Sequence, residues 1–373
     1  MFPIELLQRL TDAHCHPVDD SAGLDRALTA IEQLHTARLV RSSAEPWSSK
    51  DFNLILIPSS PQCAQSSTLE NQSCTRSLAV AHPDRVIPFF GLHPWFVHSI
   101  SLASPSSLPT KQEHYMTLFP ELGTDPSLQP VVDSLLPPTS LETYLTTLEQ
   151  NLVHYPHSHV GEIGLDRAFR LPLPTHLQPP RGQGSPRSKL QTPIQHQLAL
   201  VRAQLDLAIK LRRHVSFHSV RSSKETVTLL RDYLDHNPGF ESIHACLHSF
   251  GGSPETIRQL QKVHHNLFFS FAAVISGRSP RFSEMLRAVD DARLLVESDF
   301  SDTSKIDEQI SEVVEAICTA RSWTREYCVA QLEKNWLSFL EVEPEGSRPK
   351  RKSKKERKMD EQARRRQAEE AEE

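Results

Sequence analysis

The stretch Val160-Gly161-Glu162-Ile163-Gly164-Leu165-Asp166 places an acidic side chain inside an apolar run that is typical of a buried strand. An ionised carboxylate is costly to bury unless a counter-charge or a metal ion accompanies it. Glu162 is therefore expected to be either a member of a buried ion pair or a metal ligand. The polar residues elsewhere in the chain decide between these two alternatives.

Five further segments with metal-binding side chains follow short β-rich runs on both sides of Glu162. They are Asp12-Ala13-His14-Cys15-His16, Gly91-Leu92-His93-Pro94-Trp95, Phe217-His218-Ser219, Leu247-His248-Ser249-Phe250 and Glu297-Ser298-Asp299. The nitrogen and oxygen donors of such a set can hold one or two divalent cations. A cation pair can activate water at neutral pH and stabilise the charge of a transition state.

A His-x-His pair is weak support by itself, since about one is expected by chance in a chain so rich in histidine. A second pair indeed occurs at His157 and His159. Residues i and i+2 of a strand face the same side, so His14 and His16 can point together into a barrel mouth. The second pair comes before Val160 to Leu165, at the opposite end of its strand, and we expect it at the surface.

Three other residues also have plain structural alternatives. Asp299 could cap a helix, and His218 taken alone could be a core histidine with satisfied hydrogen bonds. His244 shares strand parity with His248, and only the position of His248 at the C-terminal end of the strand favours it. Because six strand ends would each need a separate explanation, a joint metal site is the preferred interpretation.

Alternation of apolar runs and helical patterns predicts the fold. Strands are predicted at residues 85–91, 159–165, 214–218, 242–249, 266–275 and 293–297, and helices at 192–213, 253–263, 304–320 and 324–340. Repeated strand–helix units favour a parallel sheet, and eight plausible strands favour an α/β fold of the (β/α)8 TIM-barrel type. Segments rich in Pro and Ser predict long loop insertions at 42–53 with 59–77, 99–140 and 171–193.

Charge and composition divide the chain. Residues 347–373 carry 11 Lys and Arg against 7 Asp and Glu, and the total net charge of −5 leaves −9 for the remainder. We therefore expect a barrel domain over residues 1–340 and a charged, disordered tail over 341–373. The basic run 348–358 also fits a nuclear-import or polyanion-binding patch. The acidic body does not fit a broad nucleic-acid platform, so a nucleic-acid substrate would need a local site.

The six cysteines are scattered and form no C-x-x-C pair, which predicts reduced thiols in the cytoplasm or nucleus. No run of about 18 apolar residues occurs, so no membrane span or secretory signal is expected.

Together with Asn335-Trp336, the quoted motifs make the chain resemble the TatD-related metal-dependent deoxyribonucleases, and especially their fungal branch, from about Leu10 to Leu340. The resemblance implies a TIM-type barrel with one or two divalent cations, such as Mg²⁺, Mn²⁺ or Zn²⁺. It implies one ion on His14, His16 and Asp299, another on His218 and His248, and Glu162 as the bridge.

The resemblance also implies roles in the reaction. Asp299 would accept a proton from the attacking water, with Glu162 as the second catalytic residue, and His93 would contact the substrate or the leaving group. The family often has His-Cys-Phe-Ser-Gly where this chain has His248-Ser249-Phe250-Gly251-Gly252. The family arginine after the strand-five histidine is displaced by one place, to Arg221.

The expected function is that of a divalent-metal-dependent hydrolase, a deoxyribonuclease that cleaves phosphodiester bonds with metal-activated water. One alternative is hydrolysis of an amide, ester or lactone at the same site, because a fold does not determine a substrate. The other is a mainly non-catalytic interaction protein, because fungal relatives of this branch bind a subunit of the anaphase-promoting complex.

Overall fold

The computed structural model describes residues 2–17, 23–36, 62–65, 68, 71–180 and 184–341. Its strands are β1 (Gln62–Gln65), β2 (Val86–Phe90), β3 (Ile100–Ser101), β4 (Thr139–Ser140), β5 (His159–Asp166), β6 (Val215–Val220), β7 (Ala245–Leu247), β8 (Leu267–Phe271) and β9 (Leu294–Val296). Seven of them form one parallel sheet in the order β1-β2-β5-β6-β7-β8-β9, while β3 and β4 pair separately.

Helices connect these strands. They are α1 (Ile4–Leu7), α2 (Gly23–Gln33), α3 (Asn71–Ala81), α4 (Lys111–Leu118), α5 (Gln129–Ser134), α6 (Leu141–His154), α7 (Ile194–Lys210), α8 (Ser223–His236), α9 (Pro254–Val263), α10 (Ala273–Ser276), α11 (Phe282–Ala288), α12 (Ile306–Arg321) and α13 (Arg325–Leu340). The helix predicted at 192–213 is confirmed as α7, and its predicted apolar face buries Val201, Leu205 and Ala208. Every residue of β5 and β8 is buried, as expected for a parallel sheet covered on both faces.

The segment before α2 occupies the place beside β9. The amide of Ala13 donates to the carbonyl of Val296 at 3.0 Å, and the amide of Asp299 donates to the carbonyl of His14 at 2.9 Å. These alternating bonds are those of a parallel neighbour. Beside the seven strands of the sheet, this segment occupies the place of an eighth. The fold class is therefore the predicted α/β class, and the parallel sheet is consistent with the (β/α)8 type.

Some predicted boundaries are wrong. The apolar run 266–275 is not one strand, because β8 ends at Phe271 and α10 follows at Ala273. A period-based prediction cannot separate a short buried strand from a buried helical turn. The segment 59–77 is not only loop, since it contains β1 and the start of α3. Helix α3 buries the polar residues Gln72 and Thr75, so its buried face could not be recognised from an apolar pattern.

The predicted insertion at 99–140 is folded. Its helices α4 and α5 bury a separate hydrophobic cluster, which also takes in two residues of the predicted insertion at 171–193. The buried members of this insertion lobe are Tyr115, Leu118, Phe119, Leu122, Leu128, Val131, Val132, Leu171 and Leu190. The insertion lobe therefore has a core of its own beside the barrel core.

Three histidines lie at the N-terminal ends of neighbouring strands, and two of them, His214 and His244, contact the end of α13. The amide of His214 donates to Nδ1 of His159 at 3.2 Å, and the amide of His244 donates to Nδ1 of His214 at 3.0 Å. Nε2 of His214 contacts the carbonyl of Leu340. The prediction that His159 lies at the surface is wrong, because its ring is buried against Phe89 and His214. His157 is exposed, as predicted.

The tail predicted at 341–373 lies outside the described residues, apart from Glu341, and so does the insertion at 42–53. None of the helices in the described ranges has the length and apolar character that a membrane crossing requires.

Candidate metal centre

Glu162 projects from an irregular part of β5. The register between β5 and β6 shifts between Val160 and Ile163, and such bulges change the direction of a side chain. Gly164 then has a φ of 151°, and a Cβ at that position would overlap the carbonyl of His218. Glycine is therefore required there, and it lets β5 approach β6 so that Glu162 and His218 come together.

One carboxylate oxygen of Glu162 faces the first barrel segment. Its Oε2 lies 3.3 Å from Nε2 of His14 and 3.2 Å from Nε2 of His16. Oδ1 of Asp299 approaches the same place, 3.6 Å from Nε2 of His16. These atoms enclose a first position for a cation.

The other oxygen faces three different strand ends. Oε1 of Glu162 lies 2.5 Å from Nε2 of His248, 2.7 Å from Nδ1 of His218 and 3.1 Å from Nε2 of His93. The rings of His14 and His248 stack at 3.8 Å and join the two groups. Glu162 thus divides its oxygens between two positions, as a bridging ligand would.

The spacing of the donor atoms fits a divalent cation. Nε2 of His14 and Nε2 of His16 are 3.0 Å apart, and Nδ1 of His218 and Nε2 of His248 are 3.2 Å apart. Two nitrogen ligands about 2.0–2.1 Å from one ion, at octahedral or tetrahedral angles, lie about 2.8–3.4 Å apart. The imidazole and carboxylate donors suit Zn²⁺ and Mn²⁺, and the carboxylates also suit Mg²⁺.

Outer partners orient two of these rings. Nδ1 of His14 lies 2.8 Å from the hydroxyl of Ser216, and Nε2 of His218 lies 3.3 Å from Oδ2 of Asp166. Such partners fix the orientation and tautomer of a metal-binding histidine. Nε2 of His14 and Nδ1 of His218 are consequently directed toward Glu162.

The carboxylate of Asp166 makes four hydrogen bonds. Its Oδ2 accepts from Nε1 of Trp95 at 2.6 Å, and its Oδ1 accepts from the amides of Ala168 and Phe169 at 2.6 and 2.9 Å. Burial favours the neutral acid, but the bonds from His218 and Trp95 outweigh burial and hold the pKa of Asp166 well below its usual range. A permanent carboxylate therefore supports His218.

His93 differs from His218 in the nitrogen that it turns toward Glu162, which is Nε2 in His93 and Nδ1 in His218. Nδ1 of His93 accepts from the amide of Trp95 at 3.1 Å, and burial lowers the pKa of His93 to about 4. A neutral ring with an accepting Nδ1 carries its proton on Nε2. Nε2 of His93 thus has a proton to donate and no lone pair for a cation, although it lies among the candidate ligands.

Ser249 holds the side chain of Asp299. Both residues have a left-handed backbone, with φ of 39° and 49°. The hydroxyl of Ser249 lies 2.9 Å from Oδ2 of Asp299 and 2.7 Å from Oε1 of Glu297. Glu297 is fully buried, and its oxygens also accept from the amide of Ser249 and the hydroxyl of Ser270. Glu297 therefore serves as a support for Ser249.

Charge at the centre is balanced by histidine. Burial, together with the nearby His248, lowers the pKa of His14 to about 3. Burial also favours neutral His248, but the carboxylates of Glu162 and Glu297 raise its pKa well above the usual value. Burial opposes ionisation of Glu162, and the histidines overcome it, holding its pKa well below the usual value. A bound cation would supply the positive charge in place of a protonated ring.

The structure brings all the predicted site residues to one place. These residues are His14, His16, His93, Glu162, His218, His248 and Asp299. It also separates His248 from its competitor, because Nδ1 of His244 contacts the carbonyl of Phe339 at the other end of the barrel. Their roles as ligands and catalytic residues stay predictions.

Sequence reasoning missed the supporting residues. Asp166, Ser249 and Glu297 all lie inside the motifs quoted above, where their polar character next to apolar strands was the available signal. Ser216 lies two residues before His218 in β6, so the two side chains share the inner face of the strand.

The chain is similar to known proteins over most of its length. The family model described as TatD related DNase matches residues 11–341. The chain is 28% identical to the Cut9-interacting protein scn1 of Schizosaccharomyces pombe, over 90% of this chain and all of the relative. It is 27% identical to an uncharacterized deoxyribonuclease of Saccharomyces cerevisiae, over 79% of this chain and 84% of that protein.

Solved structures show the same fold. A TatD homolog from Escherichia coli superposes with a TM-score of 0.54 at 18% identity, covering 89% of this chain and 98% of that one. An uncharacterized amidohydrolase from Saccharomyces cerevisiae superposes with a TM-score of 0.51 at 14% identity, covering 75% and 89%. With the family match spanning nearly the whole described barrel, the chain belongs to the TatD-related DNase family of metal-dependent hydrolases.

Proposed function

We propose that this protein is a deoxyribonuclease that hydrolyses phosphodiester bonds with one or two divalent cations. The observation that supports the proposal is the divided carboxylate of Glu162, with His14, His16 and Asp299 on one side and His218 and His248 on the other. This donor set contains only nitrogen and oxygen, and it suits hard and borderline divalent ions.

Different residues of the site would perform different steps of the reaction. Divalent cations held here would lower the pKa of water and offset negative charge on the phosphate. Oδ2 of Asp299 is held by Ser249, which leaves Oδ1 facing His16 and able to accept a proton from the attacking water. The proton on Nε2 of His93 can be donated to a phosphate oxygen or to the leaving group.

DNA is the proposed substrate because the family is described by DNase activity and a yeast relative is named as a deoxyribonuclease. Hydrolysis of an amide, ester or lactone is the alternative at the same site, because the same ligands could polarise a carbonyl group. The two are separated by the bond that the metal-loaded protein cleaves.

Protein interaction is the second candidate function. A relative that aligns over 90% of this chain is named for its interaction with Cut9. The insertion lobe and its flanks expose large apolar side chains, with Leu102 exposed by 52% and Leu136 by 66%. Exposed apolar side chains of this kind suit a protein partner. We propose a subunit of a cell-cycle complex such as the anaphase-promoting complex, met in the cytoplasm or nucleus.

The test of the deoxyribonuclease proposal combines metal analysis with cleavage of labelled DNA oligonucleotides. The full chain should cleave them with Mn²⁺, Mg²⁺ or Zn²⁺, and a chelator should stop the reaction. Asp299→Asn keeps the shape but removes the basic oxygen, and it should lower the rate about 10²–10⁴-fold. Asp302→Asn is the matched control, since Asp302 only caps a 3₁₀ turn nearby.

Three outcomes separate the alternatives. If Asp299→Asn cleaves as fast as the wild type, the proposed role of Asp299 is wrong. If the metal-loaded wild type cleaves no DNA but hydrolyses a carboxylic ester, amide or lactone, the alternative hydrolase replaces the nuclease. If it cleaves none of these bonds, the interaction function takes precedence.

A further inference from the structure

Helix α7 carries two glutamines, Gln197 and Gln204, on its buried face. Both side chains are almost completely buried, among apolar residues such as Leu200 and Val201. They are seven positions apart in the sequence, which is about two turns of helix and places them on the same side of α7. A buried amide is costly unless its oxygen and nitrogen find hydrogen-bond partners. Both glutamines find these partners in the backbone at the ends of barrel strands.

Gln204 binds the backbone of Leu92, the residue directly before His93. Its Oε1 accepts from the amide of Leu92 at 2.8 Å, and its Nε2 donates to the carbonyl of Leu92 at 3.4 Å. The pairing of β2 with β5 ends at Phe90 and Val160. Beyond that point, the side-chain amide of Gln204 makes the two hydrogen bonds that a neighbouring strand would otherwise make.

The surroundings of Gln204 fix the orientation of its amide. A backbone N–H can only donate, so the oxygen of Gln204 has to face the amide of Leu92. The hydroxyl of Tyr144 on α6 donates to the same oxygen at 2.5 Å. A side chain that positions another group must itself be held in place, and Gln204 meets this requirement.

The turn that follows Leu92 is closed by its own hydrogen bonds. The amide of Trp95 donates to Nδ1 of His93 at 3.1 Å, and the amide of Phe96 donates to the carbonyl of His93 at 2.9 Å. His93 is therefore fixed relative to the turn. Its place in the barrel is determined by the contacts that hold the two ends of the turn.

Helix α7 holds both of these ends. Gln204 binds Leu92 before the turn, and Nε2 of His196 contacts the carbonyl of Val97 after it at 3.0 Å. The two contacts are about two helical turns apart on α7. One rigid helix thus determines where His93 lies.

Gln197 repeats the arrangement at the end of β5. Its Oε1 accepts from the amide of Asp166 at 2.8 Å, and its Nε2 donates to the carbonyl of Asp166 at 2.9 Å. The carboxylate of Asp166 accepts from Nε1 of Trp95 and contacts Nε2 of His218. The same helix therefore holds the backbone before His93 and the residue that supports His218.

We propose that Gln204 is a positioning residue, which holds His93 so that Nε2 donates a hydrogen bond to the leaving oxygen of a phosphodiester. The proposal rests on the proposed phosphodiesterase function and assigns the donor of His93 to one oxygen. Attack by water forms one P–O bond and breaks another, and the leaving oxygen keeps the electron pair of the broken bond. The proton of the water passes to Asp299, as proposed above, and the leaving oxygen then takes a proton from solvent.

The test compares two phosphodiesters that differ in their leaving groups, with the full-length, metal-loaded protein. The alkoxide released from a DNA oligonucleotide concentrates its charge on one oxygen, whereas the p-nitrophenolate released from bis(p-nitrophenyl) phosphate spreads its charge over a ring. Gln204→Met keeps the length of the side chain but removes both hydrogen bonds to Leu92. It should lower kcat for the oligonucleotide about tenfold more than kcat for bis(p-nitrophenyl) phosphate. The metal content should stay unchanged.

A milder variant perturbs the same contact with less risk to folding. Tyr144→Phe removes the hydroxyl that orients the amide of Gln204, but it leaves the hydrogen bonds to Leu92 possible. It should shift the ratio of the two rates in the same direction by a smaller factor.

Gln261→Met is the matched control. Gln261 is a buried glutamine of α9 that also binds backbone, since its Nε2 donates to the carbonyl of Ala288 at 2.9 Å and its Oε1 accepts from the amide of Asp290 at 2.7 Å. Both partners precede β9, at the end of the barrel opposite the candidate metal centre. Gln261→Met should lower the melting temperature about as much as Gln204→Met, because both remove two buried hydrogen bonds. It should leave the ratio of the two rates unchanged.

Nuclear magnetic resonance of the histidine rings tests the positioning without any reaction. Nε2 of His93 lies 3.1 Å from Oε1 of Glu162, so a displaced turn changes the surroundings of this nitrogen. In protein labelled with ¹⁵N at histidine, the Nε2 resonance of His93 is assigned with His93→Gln. It should move in Gln204→Met and stay at the wild-type position in Gln261→Met.

The outcomes separate this proposal from the proposed function. Equal slowing of both substrates in Gln204→Met, or an Nε2 resonance of His93 that stays at its wild-type position, would overturn the proposal. A wild-type ratio of rates in both Gln204→Met and Tyr144→Phe would overturn it as well. If the wild type hydrolyses neither phosphodiester, the proposed function is contradicted, and the resonance of His93 still decides whether Gln204 positions that ring.

Discussion

Asp12 accepts two hydrogen bonds from Ser298, one from its backbone amide at 2.9 Å and one from its hydroxyl at 2.5 Å. Both side chains are fully buried. The pair joins the first barrel segment to the end of β9, directly before Asp299. The closure of the barrel and the placement of the candidate base therefore depend on the same contact.

Removing one donor of this pair should destabilise the barrel. Ser298→Ala leaves an oxygen of a buried carboxylate without its hydroxyl donor, so the free energy of unfolding should fall by about 1–3 kcal/mol. Urea denaturation of the metal-free protein measures this loss. Ser311→Ala is the control, because its hydroxyl bonds only back to a carbonyl within α12 and its loss should cost about 0.5 kcal/mol or less. Equal losses in the two variants would contradict the closure role of Ser298.

Loss of the His14 and His16 rings should remove one cation position. The double variant His14→Ala, His16→Ala keeps Glu162, His218 and His248, so elemental analysis should show at least one divalent ion fewer per chain while circular dichroism stays unchanged. His157→Ala is the control, since His157 is exposed. Unchanged metal content in the double variant would show that the ligand assignment is wrong.

Asp166→Asn should weaken metal binding without removing a predicted ligand. The amide keeps the shape of the side chain but supports the proton on Nε2 of His218 with less negative charge. Loss of such an outer partner typically lowers metal affinity or activity about 10–100-fold, which calorimetric titration can measure. Asp125→Asn is matched to it, because Asp125 also accepts from a backbone amide two residues later but lies in the insertion lobe. A wild-type affinity in Asp166→Asn would exclude the supporting role.

The buried histidines under α13 should make the protein sensitive to acid. Burial, followed by the effect of His244, lowers the pKa of His214 to about 3, whereas an unfolded histidine has a pKa of about 6.5. Below about pH 6.5 the unfolded chain binds a proton that the folded chain does not. The free energy of unfolding should then fall by about 1.4 kcal/mol per pH unit from this residue alone. Above that pH the residue should contribute no slope.

Urea denaturation of metal-free protein between about pH 7 and about pH 5 tests this slope. His214→Gln retains an acceptor for the amide of His244 and a donor for the carbonyl of Leu340, but it does not titrate. Its stability should depend less on pH, by about one proton. An identical slope in wild type and variant would contradict the assignment.

Deletion of residues 347–373 should leave the melting temperature nearly unchanged. The sequence of that segment has no periodic apolar pattern with which to pack on the barrel. Differential scanning calorimetry of the shortened chain checks the expectation, and the cellular position of a fluorescent fusion shows whether the basic run directs the protein to the nucleus. A drop of several degrees would show that the segment packs on the barrel.

The candidate site was predictable because its chemistry conflicts with its surroundings. Glu162 and Asp299 are acidic residues next to apolar strand segments, and histidines follow other strands at the same edge. Strand geometry turns that order along the chain into proximity in space. The division of the two oxygens of Glu162 was not visible in the residues themselves, because it depends on the bulge in β5.

Elements that bury polar side chains were harder to predict from the sequence. Helix α3 buries Gln72, which donates to the carbonyl of Gly91 and accepts from Asn151, so no apolar stripe marked its inner face. His159 was expected at the surface because the rings that bury it, Phe89 and His214, lie on other strands far away in the sequence. Contacts between distant segments of this kind leave no local pattern.

The core of the insertion lobe is separate from the cluster that fills the barrel, and this separation bears on how such a chain can evolve. Substitutions around Tyr115 and Leu190 change the core of the insertion lobe, while Ile163 and Phe217, which flank Glu162 and His218, belong to the barrel cluster. The lobe can therefore vary in sequence and length while the packing that positions the candidate metal ligands is retained.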